Sequence, residues 1–515
     1  MYTVFTSQNK IPLEVDQTPR WNQIHLIALI GLLIRLVVVF LSDQIYQPDE
    51  IFQYLEQAHR LEFGYGIIPW EYRYGIRSWI LPGLLSIPLH IFHILRVNDP
   101  NIYVPSIKIF ACILSISLIY ASYIIVRNIA SEAAGRLASI FICFWYELVY
   151  FASKATPEVL STYCLVLALA CVVVKPNKKI TVALGFLGGL AAILRFHYLP
   201  AIAVPMLLAA FRWKKREVAI SGTIFLGMIA LAGFIDYLTW GGFFISYYNN
   251  YLYNSVYKVS EIFGVNSPLY LAKPFILASS GIFFIAVLIS LLPSKISRTW
   301  ILLLCAFGII VPHSLVAHKE YRFIVAAIPF LVMLTAIVVA DLRFQLRQWN
   351  VSWRKGFSYS LIALFIGISI NGLLWNLPFQ NQVYAKGSPI HREPILSAYL
   401  FLHKEPDLTS VLSAYTEWYW TGGYYYLHRN VPIYYPDQLK KVSDEDYGLH
   451  ISHIVCNKNY RSIPNFTPIF TAGDLEIRQA TPVPHRPLRL DVDTVNIPQM
   501  GVDDRFQPTV RSHLN

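Results

Sequence analysis

The sequence predicts an all-α polytopic membrane protein of about eleven transmembrane helices, followed by a small mixed α/β domain. Three observations predict it. Apolar residues make up 55% of the chain and charged ones 14%, against about 25% charged in a soluble domain. Apolar runs able to cross about 30 Å of hydrocarbon recur along most of its length. Past residue 376, charges, prolines and turn residues return.

The first run, 22–42, follows a polar stretch and is long enough to span, so it reads as the first anchor and not as a cleavable signal peptide. Further spans are expected near 104–126, 137–153, 158–174, 180–194, 198–211, 217–238, 271–292, 299–316, 323–341 and 357–375. The run 79–97 is interrupted by Pro82, Pro88, His90 and His93 and is expected to lie along the surface or as a re-entrant helix. With a cytoplasmic N-terminus, this count places Arg127, Lys178, Lys215, Lys295, Arg343 and Arg347 with their basic neighbours on one side, as the positive-inside bias requires. The first outer loop 43–103 and everything after 376 then lie outside. The domain reading is a transmembrane module over 1–375, a soluble outer-face domain over 376–480 with strand-like runs Val411–Tyr415 and Val431–Tyr435, and a flexible Pro-rich tail over 481–515.

The net charge of +11 could suggest nucleic acid, but the basic residues sit in short clusters between apolar runs, which excludes that partner and leaves the lipid bilayer. Five cysteines lie inside apolar runs and Cys456 stands alone, so neither a metal knuckle nor a disulfide framework is visible. No repeat, phosphate-binding P-loop or dinucleotide fingerprint occurs.

Two polar constellations interrupt this apolar frame. After the first span, Pro48 with Asp49 and Glu50 provides helix-start chemistry. Asp49, Gln53, Glu56 and Arg60 then recur at helical spacing on one face. The bland reading is that these acids complement the helix dipole and face water. The chemical reading is a positioned carboxylate that deprotonates a weakly nucleophilic hydroxyl, for which Asp49 is favoured, with Glu50 orienting an acceptor or Asp49 itself. Glu56 and His59 belong either to a site or to a solvated helix face; Glu71 and Arg77 either shape the site or form a structural ion pair.

The second constellation is His318-Lys319-Glu320-Tyr321-Arg322-Phe323 between two apolar runs, with His313 earlier. Ionisable residues at a span end are costly in lipid and need partners or water. The cluster is either an interfacial anchor or a cradle for an anionic group, in which Lys319 and Arg322 bind phosphate, His318 assists and Glu320 holds Arg322. Arg195 at another outer span end could fork onto the same anion or sit in a bundle ion pair. Lys154–Glu158 reads as an acceptor contact or a solvated turn, and the tyrosines of 247–253 as a sugar platform or an aromatic belt.

The order of Asp49-Glu50, Gln53, Glu56 and His59, then Phe63-Gly64-Tyr65-Gly66, Trp70-Glu71 and Arg77-Ser78, together with His318–Phe323, resembles the polyprenyl-phosphate-mannose-dependent mannosyltransferases of the GT-C fold. The likeness runs over about 40–330 and is closest to the enzymes adding the third mannose of GPI anchors, beside the alpha-1,2-mannosyltransferases of the N-glycan precursor. The resemblance implies an inverting transferase with Asp49 as catalytic base. It also implies a polyprenyl-phosphate-mannose donor, a glycan or glycolipid acceptor and the non-cytoplasmic face of an ER or bacterial plasma membrane. Phe196 departs from the Arg-Pro of relatives. No cofactor or metal is expected. Two alternatives stay open: a transferase of the same fold moving another lipid-linked sugar, and a lipid or polysaccharide transporter.

Overall fold

The computed structural model describes residues 19–346, 351–374, 390–436 and 444–484. Arg347, the 376–389 connection and the tail beyond residue 484 therefore lie outside the described residues. The chain forms two compact units, one of Met1–Val39, Lys108–Ala232 and Ser260–Pro389, the other of Phe40–Ile107, Gly233–Val259 and Ile390–Asn515.

The expected apolar runs are helical over most of their described residues, because a backbone in lipid must satisfy its own hydrogen bonds. Among the described residues five helices are long and apolar enough to cross a membrane: Trp21–Leu41, Pro100–Ile129, Lys215–Trp240, Pro293–Leu315 and Tyr321–Gln345. The number rises to seven when two bent pairs are included. One of those pairs corrects an expectation. The run 271–292 is not one straight helix: Ala272–Ala278 and Ile282–Ser290 meet at 102°. The cause is local, since Ser280 (φ 49°) and Gly281 (φ 76°) both adopt the left-handed conformation, which ends a helix and which glycine reaches without a Cβ clash. The run 137–153 likewise bends by 56° between Glu132–Phe144 and the helix after it.

Arg35, fully buried in Trp21–Leu41, donates from Nη1 to the carbonyls of Gly31 (2.9 Å) and Cys143 (3.2 Å) and from Nη2 to that of Ile142 (3.3 Å). It thereby caps the carbonyl end of Glu132–Phe144, where the helix dipole favours a cation. All six cysteines are free, five buried and Cys171 half-buried.

The second unit joins the first loop to the C-terminal domain. That domain contains a five-stranded sheet of β1 (Val411–Ser413), β2 (Ile433–Tyr434), β3 (His453–Asn457), β4 (Phe466–Ala472) and β5 (Leu475–Ala480), in the order β2-β1-β3-β5-β4. β1 runs parallel to β2 and β3, while β5 pairs antiparallel with β3 and β4. β1 is buried on every residue, as a central strand packed on both faces should be. Leu412, Tyr434, Tyr447, Ile451, Ile454 and Ile463 form its core.

In the first loop, Ile80–Ile94 has 15 residues, which rise about 22 Å at 1.5 Å each and fall short of a full crossing. Leu84, Ile87, Ile91 and Ile94 are exposed along it at helical spacing. His90 and His93 meet Glu62 at 3.1 and 2.5 Å.

Candidate active site

The first-loop acids are built on an unusual helix start. The helical turn opens at Pro48, and Glu50–Leu55 is then a wide π-turn before the α-helix Glu56–Phe63. A π-turn takes more residues per turn than an α-helix, so it shifts the phase of everything after it and recurs at functional sites. The single polar stripe expected of an ideal α-helix is accordingly split between two networks. The water-facing reading also fails: Glu50, Gln53, Glu56, Gln57 and His59 are buried, and Asp49, half-buried at the mouth of the turn, is the most accessible acid of the group.

The first network centres on Gln53. Its amide Nε2 donates to Glu71 Oε1 at 2.6 Å, its Oε1 accepts from Arg77 Nε at 2.7 Å, and its carbonyl accepts from Tyr72 Oη at 2.9 Å. Glu71 and Arg77 are thus bridged by an amide that also fixes the π-turn.

The second network centres on Glu56. Its Oε1 accepts from the backbone N–H of Ile67 (2.8 Å) and Tyr424 (3.1 Å), and its Oε2 from that of Tyr425 (2.8 Å). Gly423 (φ 57°) permits this approach, since a Cβ there would stand 2.7 Å from Glu56 Oε2. Burial raises the carboxyl to about 7, although the three N–H groups pull the other way. Glu56 therefore ties the first loop to the helix Gly423–Leu427 within the same unit.

His59 continues this seam. Its Nδ1 faces the Tyr65 carbonyl at 3.2 Å and its Nε2 faces His428 Nδ1 at 2.9 Å. One arrangement satisfies both contacts with neutral rings: His59 donates from Nδ1, and His428 donates to His59 Nε2. Burial, then the facing imidazole, lowers His59 to about 3; burial, then His403 and His93, lowers His428 to about 4.

The cationic cluster lies in the other unit and gathers around one ring. Arg195 Cζ stands 5.0 Å and Arg322 Cζ 5.5 Å from the centroid of Phe323. The His313 and His318 rings lie 5.9 and 6.3 Å from it. Each arginine has its own acid. Arg322 donates to both oxygens of Glu320 at 2.7 and 3.2 Å, and Arg195 Nη1 meets Glu158 Oε1 at 3.2 Å. Burial would raise Glu320, but Arg322 and His318, whose Nε2 is 3.1 Å away, hold it well below the usual carboxylate range.

Lys319 is buried and donates to the carbonyls of Asn266 (2.8 Å), Val316 and Ala317 (3.5 Å). In this arrangement it pins the end of Pro293–Leu315 to the 264–266 turn. The solvated-turn reading of 154–158 is overturned, because Lys154, Ala155, Thr156, Pro157 and Glu158 are all buried. Sequence reasoning passed over two pairings here. Glu158 answers Arg195, and Glu147 accepts from Tyr321 Oη (2.6 Å) and Trp145 Nε1 (2.7 Å). The available signal was an acid set in an apolar run, which must find a partner.

Among the described residues no group of three or more His, Cys, Asp or Glu side chains is arranged to hold a metal ion. The long apolar helices and the C-terminal five-stranded sheet domain give the chain the architecture of a membrane-embedded protein of the GT-C fold. The structure of ArnT from Cupriavidus metallidurans bound to undecaprenyl phosphate has that architecture. It matches with a TM-score of 0.54 at 12% identity, over 89% of this chain and 98% of that one. The chain belongs to the Alg9-like mannosyltransferase family, whose sequence model matches residues 26–428, and it is an integral membrane mannosyltransferase. Curated relatives include GPI mannosyltransferase 3 of Yarrowia lipolytica, 27% identical over 76% of this chain and 72% of that one. GPI alpha-1,2-mannosyltransferase 3 of Bos taurus is 23% identical over 75% of each.

Proposed function

We propose that this mannosyltransferase takes mannose from a polyprenyl-phosphate carrier and transfers it, with inversion, to a glycan or glycolipid acceptor on the non-cytoplasmic face of its membrane. The names of the relatives make a GPI-anchor precursor at the ER membrane the first acceptor to try. The observation that carries the donor assignment is the pair of guanidiniums at Phe323, each already facing a carboxylate, because a planar fork that binds carboxylate binds phosphate in the same geometry.

In the proposed reaction the acceptor oxygen attacks the anomeric carbon while Asp49 takes its proton and Glu50 orients the acceptor. The bond from that carbon to the phosphate oxygen breaks, and its electron pair leaves with the phosphate. Arg322, Arg195 and His318 stabilise the charge that develops there, Glu320 holds the Arg322 guanidinium, and Lys319 binds the same anion or keeps the turn beneath it in place. Gln53, Glu56, His59, Glu71 and Arg77 shape the loop that carries Asp49. The proposal includes no cofactor or metal, the chain's own cations being assigned to the leaving group.

The test is transfer by purified protein from a panel of polyprenyl-phosphate sugars to GPI and N-glycan precursors. Mannose should be transferred from the lipid donor; transfer from a soluble nucleotide sugar instead would overturn the proposal. An impermeant thiol reagent applied to a single cysteine at Ser42 in sealed vesicles tests the face, since labelling from the cytoplasmic side alone would reverse it.

A further inference from the structure

Among the described residues, three buried polar atoms at the arginine pair have no hydrogen-bond partner: Glu158 Oε2, Arg195 Nε and His313 Nε2. Their side chains belong to one cluster. Glu158 meets Arg195 at 3.2 Å, and Arg195 and His313 lie 5.0 and 5.9 Å from the Phe323 ring. Tyr198, whose ring is 5.6 Å from that of His313, fixes the same wall by donating to the Phe323 carbonyl at 3.1 Å.

The chemistry of the three atoms is mixed. Arg195 Nε can only donate. Glu158 Oε2, in the carboxylate held by Arg195, can only accept. His313 Nδ1 is engaged with the Ile309 carbonyl at 2.7 Å, which takes a proton and therefore leaves Nε2 of the neutral ring as an acceptor. A bare phosphate offers acceptors alone: it satisfies Arg195, repels Glu158 and gives His313 nothing. A group with anionic oxygens and hydroxyl protons side by side satisfies all three, and a sugar phosphate is such a group.

We propose that Glu158 and His313 bind hydroxyls of the sugar on the lipid-phosphate donor, with Arg195 taking a phosphoryl oxygen, so that this corner of the cluster selects the glycosylated lipid over the spent one. The inference rests on the donor reading above and assigns it a sugar subsite. After transfer the hydroxyls are gone, and Glu158 opposes the phosphate that remains, which favours its release.

The test needs no acceptor. Binding of polyprenyl-phosphate-mannose and of sugar-free polyprenyl phosphate of the same chain length is measured on protein in lipid nanodiscs, for the wild type, Glu158→Gln and His313→Phe. Each variant should bind the mannosylated lipid about tenfold more weakly, the loss of roughly one hydrogen bond. Neither should bind the sugar-free lipid more weakly, and Glu158→Gln, relieved of the repulsion, should bind it more tightly. Equal losses on both lipids, or no loss on either, overturns the subsite while leaving the donor reading intact. A wild-type protein that binds neither lipid overturns both. If Glu158→Gln does not fold, Glu158→Asp keeps the charge, withdraws the carboxylate by one methylene and reads the same ratio.

Discussion

Gln53 is the residue at which the structure makes its most specific demand on the first loop. Replacing it with methionine keeps the volume and removes both side-chain hydrogen bonds, 2.6 Å to Glu71 and 2.7 Å from Arg77. Both partners are ionisable, and a hydrogen bond to a charged group contributes about 1.5–3 kcal/mol, so Gln53→Met should cost roughly 3–6 kcal/mol. At about 2–4 °C per kcal/mol for a unit of this size, the thermal midpoint should fall by at least about 6 °C. Tryptophan fluorescence on detergent-solubilised protein reads that shift. The double exchange Gln53→Glu with Glu71→Gln sharpens the test: it reverses amide and carboxylate, conserves the charge and preserves each bond in the bridge, including the one from Arg77. It should recover most of the lost stability, whereas Gln53→Glu alone sets two carboxylates against each other. A Gln53→Met midpoint within about 1 °C of wild type, or a double exchange no better than the worse single variant, would refute the bridge. A variant that melts normally yet loses transfer would place Gln53 against a substrate instead.

Asp49→Asn keeps shape but cannot take a proton, so transfer should fall by about two to four orders of magnitude in a product assay while donor binding survives; near-normal turnover would move the base to Glu50 or elsewhere. Arg322→Gln removes one guanidinium from the Phe323 cluster, and the apparent KM for the lipid donor should rise roughly 10- to 150-fold, the equivalent of about 1.5–3 kcal/mol; an unchanged donor dependence would rule it out as a phosphate ligand. His59 has its folded value lowered from the ordinary 6.5 to about 3, so the unfolded chain takes up the proton first and stability falls as pH drops below 6.5. The loss from this residue should reach about 1.4 kcal/mol at pH 5.5, and thermal melts from pH 7.5 to 5.5 should show a shallower decline for His59→Gln than for wild type.

The two constellations differ in how far the sequence could resolve them. His318–Phe323 was legible as a unit because its members are neighbours in the chain, and six polar and aromatic residues between apolar runs cannot dissolve in lipid. What each of them pairs with was not legible. Lys319 looks equivalent to Arg322 in the sequence, yet its ammonium donates to the nearby carbonyls of Val316 and Ala317 and to that of the distant Asn266, while Arg322 lies against Phe323 with a paired acid. The stripe Asp49, Gln53, Glu56 and Arg60 was read with a period of 3.6, and one π-turn is enough to divide it.

By itself the sequence determined the membrane class, the helical apolar runs and the mixed C-terminal domain. Partition into lipid is a sum of local residue contributions, and strand runs such as 411–413 carry their burial in their own composition. Only the tertiary structure decided the roles of the buried polar groups. Glu56 finds Tyr424 across a separation of 368 residues, His59 finds His428 across 369, and Tyr321 finds Glu147 across 174. The physical reason is that a desolvated polar atom is defined by the partner that satisfies it, and no local pattern records where a distant stretch of chain will bring that partner.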